Sequence, residues 1–75
     1  MKRNMTDFWR GQAKKVLRSA EHCDRMLGHG VNRTENTACL HLLASRATRY
    51  LELCPNSPAT RDMAERTLFI ASLWK

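Results

Sequence analysis

Only three glycines and two prolines occur in the 75 residues. Turns draw on both, because glycine supplies positive φ and proline pre-sets the backbone of a bend. So small a supply leaves little room for hairpins, for a many-stranded sandwich or for a Pro/Gly-rich disordered tract. Long apolar runs are missing as well: nothing approaches the ~18 consecutive apolar residues of a membrane span. The stretch from Met1 to Lys15 begins basic but has no apolar segment behind it of the kind a secretory signal needs. The expected location is therefore the cytoplasm. The cysteines, Cys23, Cys39 and Cys54, are odd in number and nowhere spaced C-x-x-C, which suits reduced thiols serving as small hydrophobes better than a disulfide framework. Carboxylates are scarce beside cations, seven against 13, for a formal charge of +6 and a pI near 9.9.

What remains is helical pattern. From Trp9 onward Ala13, Val16, Ala20, Cys23 and Leu27 recur at spacings of four and three, the stripe of a helix that faces a neighbour. Phe8 and Met26 fall outside that stripe. Met1–Met5 reads as a loose basic tail, Thr6 as an N-cap with Asp7 at the positive end of the dipole, and Gly28 as the C′ residue that stops the helix near Leu27. A second helix runs over Thr34 to Cys54, capped by Asn32 or Thr34, with Glu35 in the position of a capping box and Pro55 ending it. On a helical wheel Cys39, Leu40, Leu42, Leu43, Ala44, Ala47, Tyr50, Leu51, Leu53 and Cys54 cover an arc about 200° wide. That is broad enough for two neighbours, so this helix is expected in the middle of a bundle. Ser57 and Pro58 then supply an N-cap and the first position of a third helix, whose inner face is Met63, Ala64, Thr67, Leu68, Ala71 and Trp74, with Ile70 at its margin. Phe69 and Leu73 fall on its opposite side.

These readings predict an all-α chain, a small three-helix bundle with antiparallel neighbours. Residues 1–75 form a single helical domain with helices near 7–27, 34–54 and 58–74, joined by links of about seven and four residues. At this size a single core is only marginally sufficient.

The motifs that would carry chemistry do not survive their spacing. His22, Cys23, His29, Cys39, His41 and Cys54 are metal-ligand types, yet Cys39 and His41 lie about 160° apart on one helix and cannot close on one ion, leaving only a loop-mediated meeting of His22, His29 and a cysteine. No adjacent cation or helix N-terminus activates a cysteine as a nucleophile. Gly28-His29-Gly30 follows a helix and is not a phosphate loop between strand and helix. Asn32-Arg33-Thr34 and Asn4-Met5-Thr6 match glycosylation acceptors that have no meaning in the cytoplasm. No catalytic, cofactor-binding or metal residue is assigned, and the chain is expected not to be an enzyme.

Two surfaces are left. Residues 1–27 hold seven cations against three carboxylates, a net +4, while the rest of the chain carries +2. Arg10, Lys14, Lys15, Arg18 and Arg25 form a basic face suited to an anionic partner, nucleic acid or an acidic protein surface. Asp7, Glu21 and Asp24 interrupt it, no aromatic side chain interleaves it, and no following helix offers a polar recognition face in the manner of a helix-turn-helix. Phe8, Phe69 and Leu73 form the surplus apolar set, an interface in search of cover. The expected function is that of a small basic helical interaction or adaptor protein that binds and modulates or redirects another macromolecule, first of all a protein. Partner capture or self-association as a dimer falls to the third helix, with no small-molecule substrate, no cofactor and no membrane. The alternative is a nucleic-acid-binding regulator, for instance of DNA, using the basic face of the first helix. Size, charge and the lack of catalytic machinery resemble the small accessory proteins of phages and mobile genetic elements, a likeness of general character that covers no motif.

Overall fold

The computed structural model describes residues 5–74. The spacing of small and apolar residues builds α1 (Met5–Gly28), with Ala13, Val16, Ala20, Cys23 and Leu27 buried along one seam. The second periodic stretch builds α2 (Arg33–Leu53), burying Leu40, Leu43, Ala47 and Tyr50. The third, α3 (Pro58–Leu73), buries Thr60, Ala64, Thr67 and Ala71. The chain is an all-α three-helix bundle.

Every helix packs on both others, so α2 is not a middle member with α1 and α3 on its flanks. The three seams converge on one core, and a seam facing the centre of a triangle needs less width than one facing two separate neighbours. Two residues of the wide arc therefore fall outside it: Leu42 is 67% exposed and Leu53 41%. Leu68 is half-buried. The core is built largely of small side chains, Ala13, Ala20, Ala47, Ala64 and Ala71, which allow the helix axes to approach closely. Thr60 and Thr67 lie within it at 0% exposure and are satisfied locally. The Thr67 hydroxyl donates to the Met63 carbonyl at 2.9 Å, and Thr60 Oγ1 accepts from the Ser57 hydroxyl at 2.9 Å. Trp9 packs against the core and stacks in a tilted arrangement on Tyr50, ring centroids 5.6 Å apart.

The first link is shorter than expected because α1 runs to Gly28. The Gly30 amide donates to the Leu27 carbonyl and the Val31 amide to that of Met26, the nested pair of a Schellman motif. The C′ glycine is thus Gly30, at φ 72°, and not Gly28. Asn32 follows in the left-handed region at φ 45°, a conformation asparagine tolerates better than most residues. It caps α2 without a side-chain bond, so no capping box forms with Glu35. Instead the Asn36 side-chain amide reaches back, donating to the Val31 carbonyl at 2.9 Å and to that of Asn32 at 3.2 Å. At the second link Ser57 caps α3, its hydroxyl accepting from the Thr60 amide, with Pro58 in the first turn. Met5 already belongs to α1, which places Thr6 inside the first turn rather than at the cap; the remainder of the expected basic tail, residues 1–4, lies outside the described residues.

Candidate functional site

On α1 the buried seam fixes where the cations point. Arg10, Lys14, Lys15, Arg18 and Arg25 are all exposed. Lys14, Arg18 and Arg25 fall within about 40° of one another on the helix and span about 16 Å along it, with Arg10 on one flank and Lys15 on the other. Their electrostatics depend on the carboxylates that interrupt them. Asp7 is taken by Arg10, Nη2 to Oδ1 2.9 Å. Asp24 is half-buried and accepts a 2.7 Å hydrogen bond from Trp74 Nε1 at the end of α3. Among the described residues Lys14, Lys15, Arg18 and Arg25 have no carboxylate within ion-pair distance. Asp7 thus offsets one cation of the face itself, Arg10, while Asp24 keeps its charge and is held toward the end of α3.

On α3 the exterior is built differently. Arg61 pairs with Glu65 at 3.9 Å and Arg66 with Asp62 at 3.1 Å, so its four charges cancel within the helix. Between them and the helix end stand Phe69, 64% exposed, and Leu73, 56% exposed. Positions four apart are neighbours on a helix surface. Of the large apolar side chains exposed among the described residues (Met5, Val31, Leu42, Leu53, Phe69 and Leu73), these two alone are so spaced.

Phe8 does not join them. It is half-buried and meets the Trp9 ring edge-on at 4.9 Å. Its neighbour Thr6 shares a shallow depression with Leu53, Cys54, Pro55, Asn56 and Ser57, which puts this end of α1 beside the second link. Leu73 sits at the opposite end of the bundle, next to the Trp74 that meets Asp24. The pattern of residues alone pointed to neither Asp24–Trp74, 50 residues apart, nor the exposure of Leu42. Arg46 and Arg49 on α2 are also exposed cations without an ion pair among the described residues. Their polar wheel positions were the available signal.

The three thiols differ in burial. Cys23 is buried, Cys39 half-buried and Cys54 buried, all three free. Cys39 is thus not enclosed in the way the apolar arc implied, since it stands at the edge of the seam. Burial pushes the Cys23 thiol up to about 11 from its ordinary 9.0, with a smaller push from the Cys39 thiol. Among the described residues no three His, Cys, Asp or Glu side chains converge on a point that could hold a metal ion. Among the described residues no helix is long and apolar enough to cross a membrane. The depressions beside Pro55, Arg61 and Glu65 and beside Arg33, Thr37 and His41 are broad and open on their outer side. Comparison with protein-family models, with curated proteins and with solved structures finds no match to this chain.

Proposed function

We propose that this protein is a small helical adaptor that acts by binding another protein through the outer face of α3, and that binding modulates or redirects the partner. The observation that carries the reading is the exposed Phe69–Leu73 pair on a helix whose charges are internally neutralised. A large apolar pair in water forgoes roughly 1.5–3 kcal/mol per side chain that a partner can recover. Flanking ion pairs that already satisfy each other place no unpaired charge in a contact, where desolvation would be costly. The test is capture of a protein from native lysate, with and without nuclease, by wild type and by Phe69→Ser/Leu73→Ser. A nuclease-resistant partner lost in the double variant supports the reading. Capture that the double variant retains ends it. Light scattering separates the homomeric form: a wild type monomeric at high concentration leaves only a heteromeric contact.

A second reading is favoured by a separate observation, the exposed Lys14, Lys15, Arg18 and Arg25 on α1, which have no ion pair among the described residues. Such a stripe fits phosphate contacts, which position a protein on nucleic acid without reading sequence. Retardation of duplex DNA at low salt, lost steeply with rising salt, supports it, and no retardation at low salt removes it.

A further inference from the structure

The outer face of α2 belongs to neither of these readings. Leu42, Arg46, Arg49 and Leu53 are all exposed and follow one another at spacings of four, three and four. That sets them within about 60° of one another on the helix, outside the buried seam, and about 16 Å from first to last. Neither arginine has an ion pair among the described residues. The two carboxylates of α2 do not supply one: Glu52 lies off the line, and Glu35, on it, is about 16 Å from Arg46. The stripe is thus apolar at both ends and cationic in the middle, with the aliphatic stems of the arginines continuing the line between the leucines. Its needs differ from those of Phe69 and Leu73. Apolar cover alone would desolvate two guanidinium groups and leave them unmatched, which is costly. Whatever covers the leucines must also bring anionic groups to the arginines.

We infer that this stripe docks an acidic amphipathic helix of another protein, one that carries two carboxylates between two large apolar side chains. A helix laid along α2 has the same rise per residue, so it presents that set at the same spacing of four, three and four. The order reads identically from either end, and the partner can lie parallel or antiparallel. Each carboxylate accepts the forked donors of one arginine, and the outer apolar residues meet Leu42 and Leu53. A second copy of this chain is a poor occupant, because the stripe paired with itself gathers four guanidinium groups with no carboxylate between them. Nucleic acid matches the arginines with phosphates but gives the leucines no apolar cover. The surface is separate from Phe69 and Leu73, so it stands whether or not α3 binds a partner.

The test uses the full-length protein and, as probe, a capped, fluorescein-labelled, alanine-rich peptide of about 20 residues, long enough to be helical by itself. It carries Leu, Glu, Glu and Leu at spacings of four, three and four. One control peptide has the glutamates moved to the opposite face, and a second has lysines in their place. Fluorescence anisotropy at physiological salt should show saturable binding of the probe, at least about tenfold tighter than of either control. Arg46→Glu with Arg49→Glu should weaken the probe at least about tenfold and gain affinity for the lysine peptide. Leu42→Ser should weaken it about fivefold or more, with helical content by circular dichroism unchanged. Lys14→Glu with Arg18→Glu carries the same change in net charge, yet should alter binding less than about threefold, because that face lies beyond the reach of screened charge. Phe69→Ser with Leu73→Ser should leave it unchanged. No binding of the probe, equal binding of probe and controls, or an equal loss in the α1 variant overturns the inference. So does a wild type that ignores the probe but binds duplex DNA or anionic vesicles through Arg46 and Arg49, or a dimer that Leu42→Ser dissociates. Should a variant fail to fold, the three peptides on the wild type decide alone.

Discussion

The exteriors of α1 and α3 are opposites. On α1, Lys14, Lys15, Arg18 and Arg25 have no ion pair among the described residues, while Asp7 is paired with Arg10 and Asp24 is bonded by an indole from another helix. On α3, both arginines are paired within the helix and the exposed surface is finished by Phe69 and Leu73. One helix offers uncompensated charge, the other apolar area with its charge cancelled. A surface of the first kind attracts at long range and weakens with salt; one of the second kind holds at contact and is nearly indifferent to salt. The contrast teaches that a net charge of +6 is not a property of the whole molecule, and that two kinds of partner can be sought on separate faces.

The largest expected effect tests whether both exteriors hang on one core. Leu40 is fully buried, and Leu40→Ala should lower the unfolding free energy by about 2–5 kcal/mol in chemical denaturation, impairing every binding property together. A variant that loses one property and keeps the other would break the picture of a shared scaffold. Next, Lys14→Glu with Arg18→Glu should weaken any duplex binding at least about tenfold and lower its salt slope by about two, read by titration at several salt concentrations. The same variant should leave capture through α3 unchanged. Conversely Phe69→Ser with Leu73→Ser should abolish that capture and leave duplex binding alone, while circular dichroism and stability stay within about 0.5 kcal/mol per site. If the double variant unfolds, these side chains belong to the core and the contrast collapses. Smallest of all, Arg61→Ala or Arg66→Ala should cost less than about 0.5 kcal/mol in thermal melts, because both pairs are more than half exposed.

Much of this arrangement was legible beforehand. The three helices, Ser57 with Pro58 at the start of α3, and the outward position of Phe69 and Leu73 follow from periodicity and capping chemistry, which are local. What depends on the bundle's third dimension is not written in the pattern of a single helix. A wheel cannot separate an arc facing two neighbours from one facing the centre of a triangle, so Leu42 and Leu53 were assigned to the interior. The Schellman turn shifted the helix end from Leu27 to Gly28 because two glycines competed for one role, and the chain used the second. Thr60 went unrecognised as a core residue because its burial rests on the Ser57 hydroxyl that satisfies it. The influence of Cys39 on the Cys23 thiol depends on the approach of α1 to α2, about which neither local pattern carries information.

The bond from Trp74 to Asp24 has a consequence for motion. Helix ends fray because their last carbonyls lack intrahelical partners, and segments with few tertiary ties open locally at small cost. Here the indole ties the last turn of α3 to another helix 50 residues earlier, immediately beyond Leu73. Amides of that turn should therefore exchange with solvent more slowly than those of an untethered helix end, and Trp74→Phe, which keeps the ring but removes the donor, should speed them selectively. The same substitution would loosen the surface on which Leu73 is displayed, so a binding loss in Trp74→Phe would record the entropy of re-ordering that turn and not the removal of a contact.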